Sequence, residues 1–253
     1  MNTNQHLFPS LQKMSIPHPA NLMKVEYYIR AIDAFSRTGN QCVYLLDLWN
    51  TAFLYFSDFP LFFSGKKSRE IIGMGHTFYE TYIHPDDLVL LRKTYKAAII
   101  FYHSIPFHER LQYTFSHDLR LKQLDENYIL VNHKLIPLSL DSIFNPLLAL
   151  CVISLSPLAE PGRATMSKEN CSKLLVYDYN LGDWQIQKTP ILSKKEKEIL
   201  ALSIKGFTIT QIAEEQSITE ATVKFHKGNI VKKFGVKNMS QAIAYVINHN
   251  LLK

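Results

Sequence analysis

Cysteine is scarce in this chain. Cys42, Cys151 and Cys171 are the only three in 253 residues, and no two form a Cys-x-x-Cys pair. Neither a zinc site built on such pairs nor a disulfide framework follows, and the usage fits a reducing compartment. Long apolar runs are missing too. The longest, Pro146 to Ile153, is far shorter than the roughly 20 residues that cross a bilayer, so no membrane partner is expected. The opening MNTNQHLFPSLQKM has no basic stretch leading into an apolar one, which argues against a secretory signal. These absences together predict a cytoplasmic protein. Internal repeats and low-complexity tracts are also lacking.

One further absence is local. From Ile191 to Lys253 there is no arginine and no aspartate, yet these 63 residues carry ten lysines against five glutamates, a net of +5. The other 190 residues hold 18 basic and 17 acidic groups, a net of +1. Nearly all of the +6 excess therefore sits at one end. A lysine excess on short helices is the electrostatic footprint of a polyanion reader. Hydrophobic content of 47% and charged content of 20% are those of a folded chain.

Four segments follow from pattern and punctuation. Residues 1–38 form an extension in which Leu22, Val25, Ile29, Ile32 and Phe35 fall at helical spacing, predicting an amphipathic helix over 21–36 that must pack on the next domain or on a second subunit. Residues 39–157 open with two short aromatic and β-branched runs, QCVYLLDLW and AFLYFS, read as paired strands. Prolines and glycines then break 58–82 into short helices and loops. His84-Pro85-Asp86-Asp87 starts a helix over 85–102, since proline suits the first turn and acids suit its positive end. Three strands follow, around Leu111–Ser116, in ENYILVNHKLIPLSL and in LLALCVISL. The last is apolar on both faces and is expected to be central. Residues 158–190 read as a linker with a small hairpin turning at Asn180 to Asp183, and 191–253 as a separate helical domain.

Capping chemistry alone places four helices in that last domain. Ser193 with Glu196 makes a capping box, and Gly206 stops the helix it opens. Thr208 with Gln211 opens a short second helix. Thr219 caps a third, with Val223, Ile230 and Phe234 inward and Gly235 past its end; Asn238 with Gln241 opens a fourth. A short helix, a tight turn and a longer lysine-rich helix make a helix-turn-helix, whose second helix lies in the major groove of double-stranded DNA. Thr208, Thr219 and Thr222 can offer hydroxyls to phosphates. Lys224, Lys227 and Lys232 are expected on or near the face opposite Val223 and Ile230, where lysine reaches guanine edges or phosphates.

Across LSKKEKEILALSIKGFTITQIAEEQSITEATVKFHKGNIVKKFGV and the following NMSQAIAYVINHNLL, from Leu192 to Leu252, the chain resembles the LuxR-type (NarL/FixJ-type) DNA-binding domain. Glu198, Lys205-Gly206, Ile212-Ala213, Thr222 to His226 and Asn229-Ile230 fall in register. The resemblance implies base reading through Lys224, Phe225 and Gly228, phosphate contacts through Lys232 and the threonines, and dimerisation through the fourth helix, about 239–248. Departures from the pattern are the lysine at 195 and the methionine at 239, near which arginines are usual, and Gly228, where a longer side chain is usual. Glycine offers no contact and costs about 1 kcal/mol in a helix, so readout shifts to Lys224, Phe225 and Lys227. Phe225 is placed equally well to pack on a neighbour or to touch a thymine methyl.

The order of strands and helices from Gln41 to Pro157, with HPDDL at a long helix start, resembles a PAS domain. That implies a five-stranded antiparallel sheet with helices on one face, a place for a small-molecule effector, and pairing into a homodimer. The fold class expected is α+β: this PAS-like sheet plus a C-terminal all-α four-helix helix-turn-helix domain. No cofactor is required by the residues. Histidines 76, 84, 103, 108, 117 and 133 lack the context of a haem ligand, and His117 and His133, on neighbouring strands, lack a third metal ligand. The function expected is that of a sequence-specific transcription regulator whose PAS-like domain senses a signal, dimerises, or both. The alternative, an enzyme fused to a DNA-binding module, rests on the histidine count and finds no nucleophile elbow, phosphate loop or paired catalytic carboxylates.

Overall fold

The alternation of Cys42, Tyr44 and Leu46 with Val43 and Leu45 decides the layering of the N-terminal unit, because successive strand side chains point to opposite faces. In the computed structural model the first three residues join one buried cluster and the other two join a second. The structure describes residues 19–48, 50–58, 62, 66–123, 125–140, 146–171, 173–188 and 190–248. Contacts divide the chain into two units, Met1–Leu155 with Glu160–Gln187, and Ser156–Ala159 with Lys188–Lys253.

The first unit is one antiparallel sheet. Its strands are β1 (Cys42–Asp47), β2 (Ala52–Phe56), β3 (Tyr113–Lys122), β4 (Tyr128–Leu140), β5 (Pro146–Leu155), β6 (Ala164–Lys168), β7 (Lys173–Asp178) and β8 (Asp183–Lys188). They lie in the order β2-β1-β5-β4-β3-β6-β7-β8. On one face pack α2 (Ser68–Met74), α3 (Thr77–Tyr82) and α4 (Pro85–Ser104), through Ile71, Phe78, Tyr79, Leu91 and Tyr95 against Tyr44, Phe53 and Phe115. On the other face α1 (Pro19–Ser36) lays Val25, Tyr28, Ile29 and Ile32 on Val43, Leu45 and Val152. The partner that the stripe of α1 requires is thus its own sheet. The side chain of Leu22, read as part of that stripe, lies outside the described residues.

Among the described residues eight strands share the sheet, where five and a separate small hairpin were expected. The added strands, β6 to β8, come from residues read as linker and hairpin. Their physical reason lies in β3, which would otherwise expose a row of unpaired backbone groups as a sheet edge. Instead Tyr113 to His117 pair with Lys168 to Ala164. Strand β5, apolar on both faces, does sit inside the sheet, between β1 and β4. Leu111, read as the start of β3, belongs to a 3-10 turn at Phe107–Gln112.

The HPDD segment does more than start α4. His84 Nδ1 accepts from the Asp86 N–H at 3.2 Å, capping the helix. Asp87, buried in the same turn, accepts from the Arg120 backbone N–H at 2.7 Å and from its guanidinium at 2.6 and 3.0 Å. The bidentate pair fixes the start of α4 to β3.

The second unit is helical: α5 (Lys194–Ile204), α6 (Ile209–Glu215), α7 (Glu220–Phe234) and α8 (Met239–Asn248). Its core gathers Ile199, Leu200, Ile212, Val223, Ile230, Phe234, Ala242, Tyr245 and Val246. Residues 249–252, included in the resemblance above, lie outside the described residues.

Candidate nucleic-acid interface

Each helix of the second unit starts where its capping residues put it. Ser193 Oγ accepts from the Glu196 N–H at 3.3 Å while Glu196 Oε2 accepts from the Ser193 N–H at 2.6 Å. Thr208 and Gln211 repeat the reciprocal pair at α6, at 3.2 and 2.9 Å. Thr219 Oγ1 accepts from the Thr222 N–H at 3.2 Å and lies 2.9 Å from the Thr222 hydroxyl. Gly206, at φ 85°, and Gly235, at φ 65°, end α5 and α7 in the left-handed region that glycine enters without strain.

The turn between α6 and α7 is short and tied down. The Ile218 N–H donates to the Ala213 carbonyl at 3.0 Å and the Ser217 N–H to the Glu214 carbonyl at 3.1 Å. Ile218 then packs into the helical core. Three bonds that no sequence signal announced hold the frame around this pair. Lys233 Nζ donates to buried Glu196 at 2.6 Å and to the Ile191 carbonyl at 3.1 Å, and Lys195 Nζ donates to Gln216 Oε1 at 2.8 Å. Burial alone would raise the Glu196 pKa; the bonds from Lys233 and Ser193 outweigh it and leave it lowered.

Val223, Ile230 and Phe234 turn α7 inward. At 100° per residue the opposite side carries Ala221, Phe225, Gly228 and Lys232, all exposed, with Lys224 beside them. Phe225 is 64% exposed. The Lys224 ammonium lies 3.8 Å from Glu220, with its side chain 63% exposed. Glu220 also accepts from the Thr210 hydroxyl at 2.6 Å. Thr208 and Thr219 are exposed at the starts of α6 and α7, and Thr222 is half-buried.

Lys227 departs from the expected placement. Four residues after Val223 and three before Ile230, it falls beside the inward stripe, not opposite it, and is half-buried. That burial lowers its pKa from 10.5. Ala221 is the reverse case: its position on the outward stripe went unread because so small a side chain carries no signal. His226, half-buried, stacks edge-on with Phe225 at 5.5 Å between ring centroids.

In the first unit His117 and His133 face each other across β3 and β4. His133 is engaged on both nitrogens, by Tyr44 at 2.6 Å and Tyr95 at 3.4 Å. His117 Nε2 meets the Tyr179 hydroxyl at 3.3 Å. Burial takes the His133 pKa down to about 3, helped by His117, and that of His117 to about 4. Among the described residues no group of three or more His, Cys, Asp or Glu is placed to hold a metal ion, and no helix is long and apolar enough to cross a membrane.

A response regulator protein VraR of Staphylococcus saprophyticus is 35% identical over 102 residues, which cover 40% of this chain and 49% of that protein. A transcriptional activator protein EchR of Dickeya chrysanthemi is 43% identical over 74 residues, 29% of this chain and 30% of that protein. The chain thus spans about half the length of the first relative and less than a third of the second. Among solved structures, the VqmA–ligand–DNA complex of Vibrio cholera aligns over 88% of each chain at 17% identity, with a TM-score of 0.30. The model of the bacterial regulatory proteins of the luxR family matches residues 190–246. By its caps, its turn, its glycine stops and this match, the C-terminal segment is a helix-turn-helix domain of the GerE/LuxR type.

Proposed function

We propose that this protein is a sequence-specific regulator of transcription that binds double-stranded DNA through α6 and α7. In this reading α7 enters the major groove and α6 crosses the backbone. Lys224 and Phe225 face base edges. Lys232, Thr208, Thr219 and Thr222 meet phosphates, where the helix N-termini add their own attraction. Lys227 supports the flank of the helix. The observation that carries the proposal is the outward stripe of α7: solvent-facing, with Lys224 beside it and Lys232 at its far end, on a helix whose opposite side is anchored in the core. Two relatives named as a response regulator and a transcriptional activator agree with it.

The first unit is the sensor and pairing domain in this proposal. Strands β2-β1-β5-β4-β3, with α2 to α4 on one face, fit what the PAS resemblance implies, and β6 to β8 are an addition to it. A small-molecule effector acts there by binding one arrangement of the homodimer more tightly than another. The cytoplasm is its place of work, where DNA is at hand. A gel shift with genomic fragments at low salt tests the DNA reading. Discrete shifted bands on a subset of fragments are expected; folded protein that shifts none overturns it. Native mass spectrometry of the same sample reports subunit number and retained ligand together.

A further inference from the structure

Gly228 has no structural reason to be glycine. It lies inside α7 with no positive φ, and a Cβ built there meets no atom within 4 Å. Helix propensity disfavours it. Along the outward stripe it lies between Phe225 and Lys232, with Ala221 one turn before Phe225, so the first half of α7 presents an exposed aromatic ring flanked by a single methyl and a glycine. Hydrogen-bonding capacity is sparse around the ring, and the cation of the stripe itself, Lys232, sits two turns further along. Lys227 is turned to the flank, and Lys224 shares its charge with Glu220 at 3.8 Å.

Resting on the DNA-binding reading above, we infer that Phe225 is a specificity-determining residue that recognises the 5-methyl group of thymine, with Gly228 and Ala221 giving the ring close approach to the groove floor. A phenyl ring has nothing to offer guanine O6 or cytosine N4, whereas the thymine methyl is the apolar landmark of the major groove. A side chain longer than glycine at 228, one turn further along the same stripe, would meet the bases first and hold the ring away. Selection thus runs on methyl contact and shape, with Lys224 supplying the charge.

The test uses the full-length protein and a duplex it selects from a randomised pool. Each thymine of the selected site is replaced singly by uracil, which removes only the methyl. At one thymine or more per half-site, wild-type affinity is expected to fall about four-fold, the value of one buried methyl. The F225A variant, whose truncation is at an exposed position, is expected to bind the thymine duplex more weakly and to treat thymine and uracil there alike. A selected site without thymine, uracil replacements that are all neutral for wild type, or an F225A protein as methyl-sensitive as wild type each overturns the inference while leaving DNA binding intact. A wild-type protein that retains no duplex from the pool at low salt overturns both.

Discussion

Three lysines that look equivalent along α7 are not equivalent in position, and their substitution separates them. Lys232 lies on the exposed stripe, so Lys232→Gln removes the phosphate contact proposed for it. The slope of log affinity against log salt is expected to shrink by about one. Lys227→Gln is expected to leave that slope unchanged, because position 227 is half-buried at the flank beside Val223 and Ile230. Anisotropy titrations of both variants from low to moderate salt check the contrast; equal effects of the two would place Lys227 in the groove. The misreading of Lys227 has a simple cause. A lysine in a sequence reports charge, while its side of the helix depends on its offset from the apolar residues, and 227 falls between two of them.

Elements of the second unit were legible in the chain because their signals are local. Capping pairs at Ser193, Thr208 and Thr219 and stops at Gly206 and Gly235 act within one turn of themselves, so neighbours in sequence suffice to read them. The contact between Lys233 and Glu196 spans 37 positions and left no trace. It carries a pH consequence. The folded-state pKa of Glu196 is lowered from 4.5, so its stabilisation is complete above that ordinary value and is lost as pH falls through the lowered one. Acid denaturation followed by helical circular dichroism is expected to show this loss. In Glu196→Gln that part of the pH dependence disappears, and at neutral pH the variant is less stable by about 2 kcal/mol, the worth of a hydrogen bond to a charged group. An unaltered acid limb would show that the pair contributes nothing.

For the whole molecule, legibility ran out at the pairing of distant strands. The run Ala164–Lys168 is short and polar at its end, follows Pro157, Pro161 and Gly162, and reads as linker. What makes it a strand is the free edge of β3, some fifty positions earlier, and a sequence window holds no record of that vacancy. The face-to-face approach of His117 and His133 was readable from strand order, but the tyrosines that occupy His133 come from β1 and α4 and were not. Both units nevertheless serve one account, in which the first receives a signal and the second carries α7 to DNA. The measurement that tests its central claim most directly is the affinity of full-length Lys224→Glu for a duplex selected by the wild-type protein, across a salt series, with folding checked by circular dichroism. Position 224 is exposed beside the outward stripe, so the account predicts a fold left intact, affinity lowered by at least about ten-fold and a shallower salt slope. Wild-type affinity and slope in a folded Lys224→Glu protein would contradict it.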